Sequence, residues 1–293
     1  MSEADSETFV IKTPIGDCEI PFNRDKIVEF LQEAAHGAEN RKTIFGEETA
    51  EFLGVSLGNE DEEYEWWEEN HVPSLLYDLN QFIHSEYEGF RLTNYNRRGT
   101  NHSAVVKKNL DYPHGKESVV IKGTYYLENK DGMKFVLTLN PVEGLNIEVR
   151  ISYDSSVCSP SDFMEPFMKH HHTKGILKNS SFNSKMEFLK YDEKNWEDII
   201  LTEHQRKKID RNITKFVENM EKFKSRELPL SRGILVVGPP GTGKTLLCNT
   251  IMSQTECTFI YITSESVSNR GDISDMYDLA RSLSPSIIVV EDI

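Results

Sequence analysis

The stretch Gly238-Pro239-Pro240-Gly241-Thr242-Gly243-Lys244-Thr245 fits the spacing G-x-x-x-x-G-K-[ST]. A loop of this kind works only where backbone N–H groups can close around an anion, and that requirement constrains the fold on both sides of it. Its glycines admit backbone angles that side chains forbid and let N–H groups approach a phosphate. A helix must follow, because its first N–H groups lack intrahelical partners and its dipole favours negative charge. Lys244 to Met252 reads as that helix. A buried strand must lead in, and Gly233 to Val237 (GILVV) reads as one, apolar throughout as in a parallel sheet covered on both faces. In such a setting Lys244 reaches the β- and γ-phosphates of a bound nucleotide, and the Thr245 hydroxyl ligates Mg²⁺.

The segment that follows repeats strand and helix. Thr258 to Thr263 reads as a second strand, Ile273 to Leu283 as a helix, and Ile287 to Val290 as a third buried strand. Strands alternating with helices indicate a parallel α/β layer. The third strand runs into Glu291-Asp292, about 45 residues after the phosphate loop. Two acids there sit at the carboxyl edge of the sheet. One can hold Mg²⁺, through water, and the other can polarise an attacking water.

From Trp196 to Ile293 the sequence resembles the AAA ATPases. The GPPGTGKT loop reads letter for letter like that family's. Trp196-Glu197-Asp198-Ile199 is similar to its adenine-contacting segment, and Leu279-Ala280-Arg281 and Ser284-Pro285-Ser286 are also similar. The resemblance implies an α/β P-loop NTPase core with sheet order 5-1-4-3-2. It implies that Asp198, Ile199 and Ile200 lie near the base, and that Gly238 to Thr245 with Leu246 surround the phosphates. It further implies ATP and Mg²⁺ as ligands, ATP hydrolysis, a homo-oligomeric ring (a hexamer in the family) and a protein client. Two features depart from the pattern. The acids come in the order Glu291-Asp292, as in the branch that contains the mitochondrial translocase of the Rieske protein and its prokaryotic relatives. By position Glu291 takes the metal and Asp292 polarises water, and the reversed order leaves that assignment open. The segment from Ser264 to Asp278 lacks the aromatic pore residue of unfolding family members, which argues against threading by an aromatic paddle.

The resembled core has five strands, and the sequence supplies three of them. Its fourth strand lies between the phosphate-loop strand and the acidic strand, and the sensor, arginine fingers and lid come later still. The expectation is therefore of an incomplete core, truncated after the acidic strand, that by itself binds ATP weakly and hydrolyses almost none.

The resemblance is drawn for the C-terminal third alone, and the N-terminal part is read from its residues. Residues 1–158 read as an α+β domain, mostly helical over 20–95, with a small antiparallel sheet over 103–153. Ile27, Phe30, Leu31 and Ala34 recur at helical spacing between Asn23 and Gly37, and Leu75, Leu76, Leu79, Phe82 and Ile83 do so after Pro73. Ser118 to Leu127, Lys134 to Leu139 and Ile147 to Ile151 carry strand composition or strict alternation, with turn signals between them. Residues 159–190 read as a polar linker, and His170-His171-His172 as part of a solvated loop. The division is then 1–158, 159–190 and 191–293. Glu60 to Glu69 (EDEEYEWWEE) reads as a solvated acidic helix or loop. Its other reading is a docking segment, with aromatics as anchors and acids that steer a basic partner.

Composition excludes some classes. A net charge of −15 disfavours nonspecific nucleic-acid binding and a clamp-loader role. No apolar run approaches the ~18 residues of a membrane span, and the acidic N-terminus lacks a secretory pattern. Four widely spaced cysteines point to a reducing cytoplasm rather than a disulfide framework. The chain thus reads as an ATPase coupled to client remodelling. An ATP-dependent switch or adaptor with little hydrolysis is the alternative, and a small-molecule kinase accounts for fewer of the residues.

Overall fold

The computed structural model describes residues 7–13, 16–22, 46–93, 105–263 and 270–291. The N-terminal half is built on an antiparallel six-stranded sheet. Its strands are β3 Asp61–Trp67, β4 Arg91–Thr93, β5 Val106–Tyr112, β6 Gly115–Glu128, β7 Lys134–Pro141 and β8 Ile147–Tyr153. The order is β3-β8-β7-β6-β4, with β5 also pairing β6. A separate hairpin joins β1 Glu7–Thr13 to β2 Gly16–Phe22.

Alternation builds the core of this half. Ile147, Val149 and Ile151 on β8 and Phe135, Leu137 and Leu139 on β7 all point to one face and are buried. Two helices cover that face, α1 Val72–Glu86 and α2 Ser161–Lys174. Leu75, Leu76, Leu79, Phe82 and Ile83 form the buried stripe of α1 that its spacing predicts. Phe163 and Phe167 of α2, one helical turn apart, fill the space beside Phe82.

Residues 20–95 are less helical than expected. β3 and β4 lie within them, and the acidic stretch around Glu62 to Trp67 is an edge strand instead of a helix or loop. Tyr64, Trp66 and Trp67 favour a pleated, half-buried surface, which outweighs the glutamates' preference for helix. The expected helix from Asn23 to Gly37 lies outside the described residues.

Residues 159–190 are not an irregular linker. Only Phe163, Phe167 and His171 of α2 are buried, so its remaining polar side chains masked the helix in the sequence. His171 is buried, and its Nδ1 lies 2.6 Å from Asp78 Oδ2 on α1. Asp78 Oδ1 accepts from the Ile176 N–H at 2.8 Å. Gly175 leaves room for this turn, since a Cβ there would come within 2.2 Å of Asp78 Oδ2.

The C-terminal half holds a parallel three-stranded sheet in the order β11-β10-β9. β9 is Ser181–Asn183, β10 Thr258–Thr263 and β11 Ser286–Glu291. The second and third expected strands are therefore adjacent, as the order 5-1-4-3-2 requires. The expected first strand is not in the sheet. Gly233 to Val237 joins no ladder among the described residues, and Leu235 and Val237 are 89% and 82% exposed. An all-apolar strand is stable only with backbone partners and cover on both faces; in the order 5-1-4-3-2 this strand neighbours neither β10 nor β11, and β9, from the expected linker, pairs the far side of β10.

The stretch after Thr202 is helical but broken. It runs as α3 Glu203–Ile209, a π-type turn Asp210–Thr214, α4 Lys215–Glu218 and α5 Met220–Lys224. Two longer helices flank the parallel sheet, α6 Lys244–Gln254 and α7 Arg270–Ser282. No helix among the described residues is long and apolar enough to cross a membrane.

Two predictions follow from this packing. Phe167→Ala removes a fully buried ring and is expected to cost about 4 kcal/mol in urea unfolding; a linker residue would cost under about 0.5 kcal/mol. Burial pushes the Cys257 thiol up to about 12, from an ordinary value of 9.0. The folded state thus keeps its proton after the unfolded chain has lost it. Its contribution is complete below pH 9 and falls by roughly 1 kcal/mol between pH 9 and 10. Cys257→Ala is expected to remove that part of the slope, read from unfolding curves across the interval.

Candidate phosphate-binding site

The glycine loop has the conformation its composition predicts. Gly241 and Gly243 have φ of 76° and 87°, in the left-handed region, and Gly243 leads directly into α6. The Thr242 hydroxyl donates to the Pro239 carbonyl at 2.8 Å and closes the turn. The Lys244 ammonium lies inside the loop and donates to the Gly238 and Pro239 carbonyls, each at 2.9 Å. Leu247, Ile251 and Met252 fix α6 by packing against Cys257 and Phe259. Leu246 is half-buried in the first turn, and its carbonyl accepts from the Thr250 hydroxyl.

β11 brings Glu291 to this loop. The Thr245 hydroxyl donates to Glu291 Oε1 at 2.9 Å, so two residues 46 apart in sequence share one hydrogen bond. The second Glu291 oxygen accepts from the Tyr261 hydroxyl. Tyr261 lies on β10 opposite Val289, so its side chain shares a face with Glu291 two residues further along. Cys248, one turn beyond Thr245, feels the same carboxylate. Burial first, and Glu291 second, push its thiol above the ordinary value, so it stays protonated near neutral pH.

The donor set suits Mg²⁺. A threonine hydroxyl and a carboxylate 2.9 Å apart are hard oxygen ligands. Among the described residues no group of three His, Cys, Asp or Glu could hold a metal alone. Mg²⁺ characteristically takes one or two protein oxygens and completes its shell with phosphate and water. The left-handed glycines direct the backbone of the loop as a phosphate cradle requires.

The segment expected near the base is placed against the flank of α6. Trp196–Asp198 forms a short turn in which Asp198 Oδ2 accepts from the Asn195 N–H at 2.7 Å. Ser253 accepts from the Lys194 N–H, and Gln254 donates to Asn195, which ties the turn to the end of α6. Ile199 packs in the same cluster as Leu247 and Ile251, whereas Ile200 is 100% exposed. The Arg206 guanidinium covers the Trp196 ring at 3.8 Å. The structure thus joins Thr245 with Glu291 and packs Ile199 on the loop's helix. Asp198 is occupied in a cap, and Asp292 lies outside the described residues. Sequence reasoning missed Tyr261, the one hydroxyl among the inner positions of TFIYIT, a strand otherwise apolar there.

Comparison with known proteins agrees with this geometry. Residues 234–293 match the family model described as "ATPase family associated with various cellular activities (AAA)". The chain is 36% identical over 97 residues to a 26S proteasome regulatory subunit 8 homolog of Schizosaccharomyces pombe, covering 31% of this chain and 24% of that protein. It is 26% identical over 179 residues to 26S proteasome regulatory subunit 8 of Dictyostelium discoideum, covering 55% and 42%. It is 31% identical over 104 residues to the proteasome-activating nucleotidase of Aeropyrum pernix, covering 33% and 25%. The chain therefore spans less than half the length of these relatives. Residues 234–293 are thus similar to the AAA family, and they lie in an α/β region preceded by an α+β one.

The Tyr261 contact predicts a selective effect. Tyr261→Phe is expected to weaken Mg²⁺-dependent ATP binding roughly 10- to 100-fold, the loss of one hydrogen bond to a charged group. Binding without Mg²⁺ is expected to stay unchanged, as read by titration calorimetry with and without the ion. Equal weakening in both would mean that Tyr261 only supports the fold.

Proposed function

We propose that the protein binds MgATP at Gly238 to Thr245 and hydrolyses it, in an oligomeric ring that remodels a protein client. The observation that carries this reading is the Thr245–Glu291 hydrogen bond, which joins the phosphate loop to the acidic strand. The glycine-loop N–H groups and the N-terminus of α6 hold the phosphates. Lys244 exchanges its two loop carbonyls for the β- and γ-phosphate oxygens. Thr245 and Glu291 hold Mg²⁺, which offsets the charge that develops on the phosphates. Tyr261 keeps Glu291 oriented toward Thr245. Asp292, next in sequence, polarises the attacking water. Asp198, Ile199 and Ile200 flank the base, with Ile199 fixed on α6 and Ile200 free to cover an apolar ring face.

The ring and client draw support from the proteasome-related relatives. The Glu291-Asp292 order favours the branch that includes the Rieske-protein translocase, and the Thr245 contact favours Glu291 as the metal ligand. Cys158, Cys248 and Cys257 are free thiols, which suits a cytoplasmic protein. The same reversed order keeps one alternative, an ATP-dependent switch with little turnover.

ATP turnover by the longest natural form of the chain separates the two readings. Lys244→Ala is expected to abolish ATP binding. Asp292→Asn is expected to keep binding and lower the hydrolysis rate at least 100-fold, the usual scale for a lost general base. Wild-type ATP binding without turnover would favour the switch, and full turnover by Asp292→Asn would refute the assigned role.

A further inference from the structure

We propose that the outer edge of β3 binds an extended cationic peptide segment, which adds as a seventh strand to the N-terminal sheet. The inference deepens the client reading above by naming what the N-terminal half recognises. β3 pairs with β8 on one side, and among the described residues no strand occupies the other. In an antiparallel pair every second residue turns its N–H and C=O away from its partner. Those groups form a ready template for an added strand.

The register decides which side chains such a strand meets. Glu63, Glu65 and Trp67 stand opposite Ile151, Val149 and Ile147, on the helix-covered face. Beside them a groove of about 360 Å³ opens between the edge and the helices. Trp67, Leu75, Met164 and Met168 line it, with Glu65 and Glu165 at its rim. Trp67 is fixed by stacking on Phe167, while the methionines can adapt to different apolar side chains. Among the described residues neither Glu63 nor Glu65 has an ion-pair partner. Glu62, on the other face, is held by Arg150 at 3.5 Å and by the Tyr64 hydroxyl at 2.6 Å. Tyr64 and Trp66, 46% and 60% exposed, flank the edge there.

The occupant follows from these groups. Its helix-side residues, two apart in sequence, are Lys or Arg against Glu63 and Glu65, then an apolar residue over Trp67, Met164 and Met168. A second copy of β3 is disfavoured, because it would oppose Asp61, Glu62, Glu63 and Glu65 with the same four carboxylates. Acids on an edge strand guard it against self-pairing, and here they also select a partner of opposite charge.

A fluorescein-labelled peptide of pattern Lys-Thr-Lys-Thr-Leu-Thr-Ser tests the proposal by fluorescence polarisation on the intact chain. No nucleotide is added, so the result does not depend on the ATP site. The expected result is binding at least 10-fold tighter than that of a composition-matched scramble. Methylating one alternate set of peptide amides is expected to abolish binding, and methylating the other set to leave it. The double variant Glu63→Lys/Glu65→Lys is expected to lose at least 10-fold, with its fold checked by circular dichroism. Reversal of the exposed Glu203 and Glu221 is expected to change little. Equal binding of the scramble, or equal loss on the remote reversal, would reduce the effect to general charge attraction and overturn the proposal. A dimer dissolved by the β3 double variant would assign the edge to a second copy and overturn it as well.

Discussion

One hydrogen bond, from the Thr245 hydroxyl to Glu291, gives the C-terminal half its chemical meaning. A phosphate loop alone is an anion site. A carboxylate beside its threonine supplies the second hard oxygen that the proposed Mg²⁺ would take. The contact depends on the β10–β11 pairing, which aligns Thr263 with Glu291 at the strand ends. It also depends on α6, whose packing on Phe259 and Cys257 sets where Thr245 stands relative to the sheet. Tyr261 supplies a second restraint from the neighbouring strand, so both Glu291 oxygens are held from different elements.

The same sheet is tied to the N-terminal half by residues 176–189. Ile176 is held by Asp78, which is in turn paired with buried His171. Two residues on, Lys178 donates to the Leu283 and Ser284 carbonyls at the end of α7, at 2.9 and 2.5 Å. A cation there complements the negative end of the helix dipole, although burial lowers the Lys178 pKa. The Asn179 N–H bonds Thr258, and β9 then pairs along β10 from Phe259 to Tyr261. A strand register thus continues from the helices that cover the peptide-edge groove to the tyrosine that restrains Glu291.

Legibility in the sequence followed the physics of each element. The phosphate loop was readable because few residue types tolerate left-handed angles and close phosphate approach, as Gly241 and Gly243 do. β7 and β8 were readable because their alternation survives in burial. α2 was not, since three buried residues among fourteen leave a mostly polar string. The GILVV stretch misled in the opposite direction. Its composition specifies a central strand, but a strand position also requires neighbours, and composition carries no information about them. β3 was hidden because its acids lower local strand propensity while pairing with β8 overrides it. Tyr261 was missed because its role comes from a cross-strand diagonal, which a single strand's pattern does not contain.

The central claim is that Thr245 and Glu291 act as one Mg²⁺-binding unit. The most direct test is a double-mutant cycle on Mg²⁺-dependent ATP affinity with Thr245→Ala, Glu291→Gln and the pair, read by titration calorimetry. The account predicts that each single change removes most of the Mg²⁺ effect and that the double change removes little more, a coupling of about 1 kcal/mol or greater. Additive losses, or a Glu291→Gln variant with an undiminished Mg²⁺ effect, would contradict it.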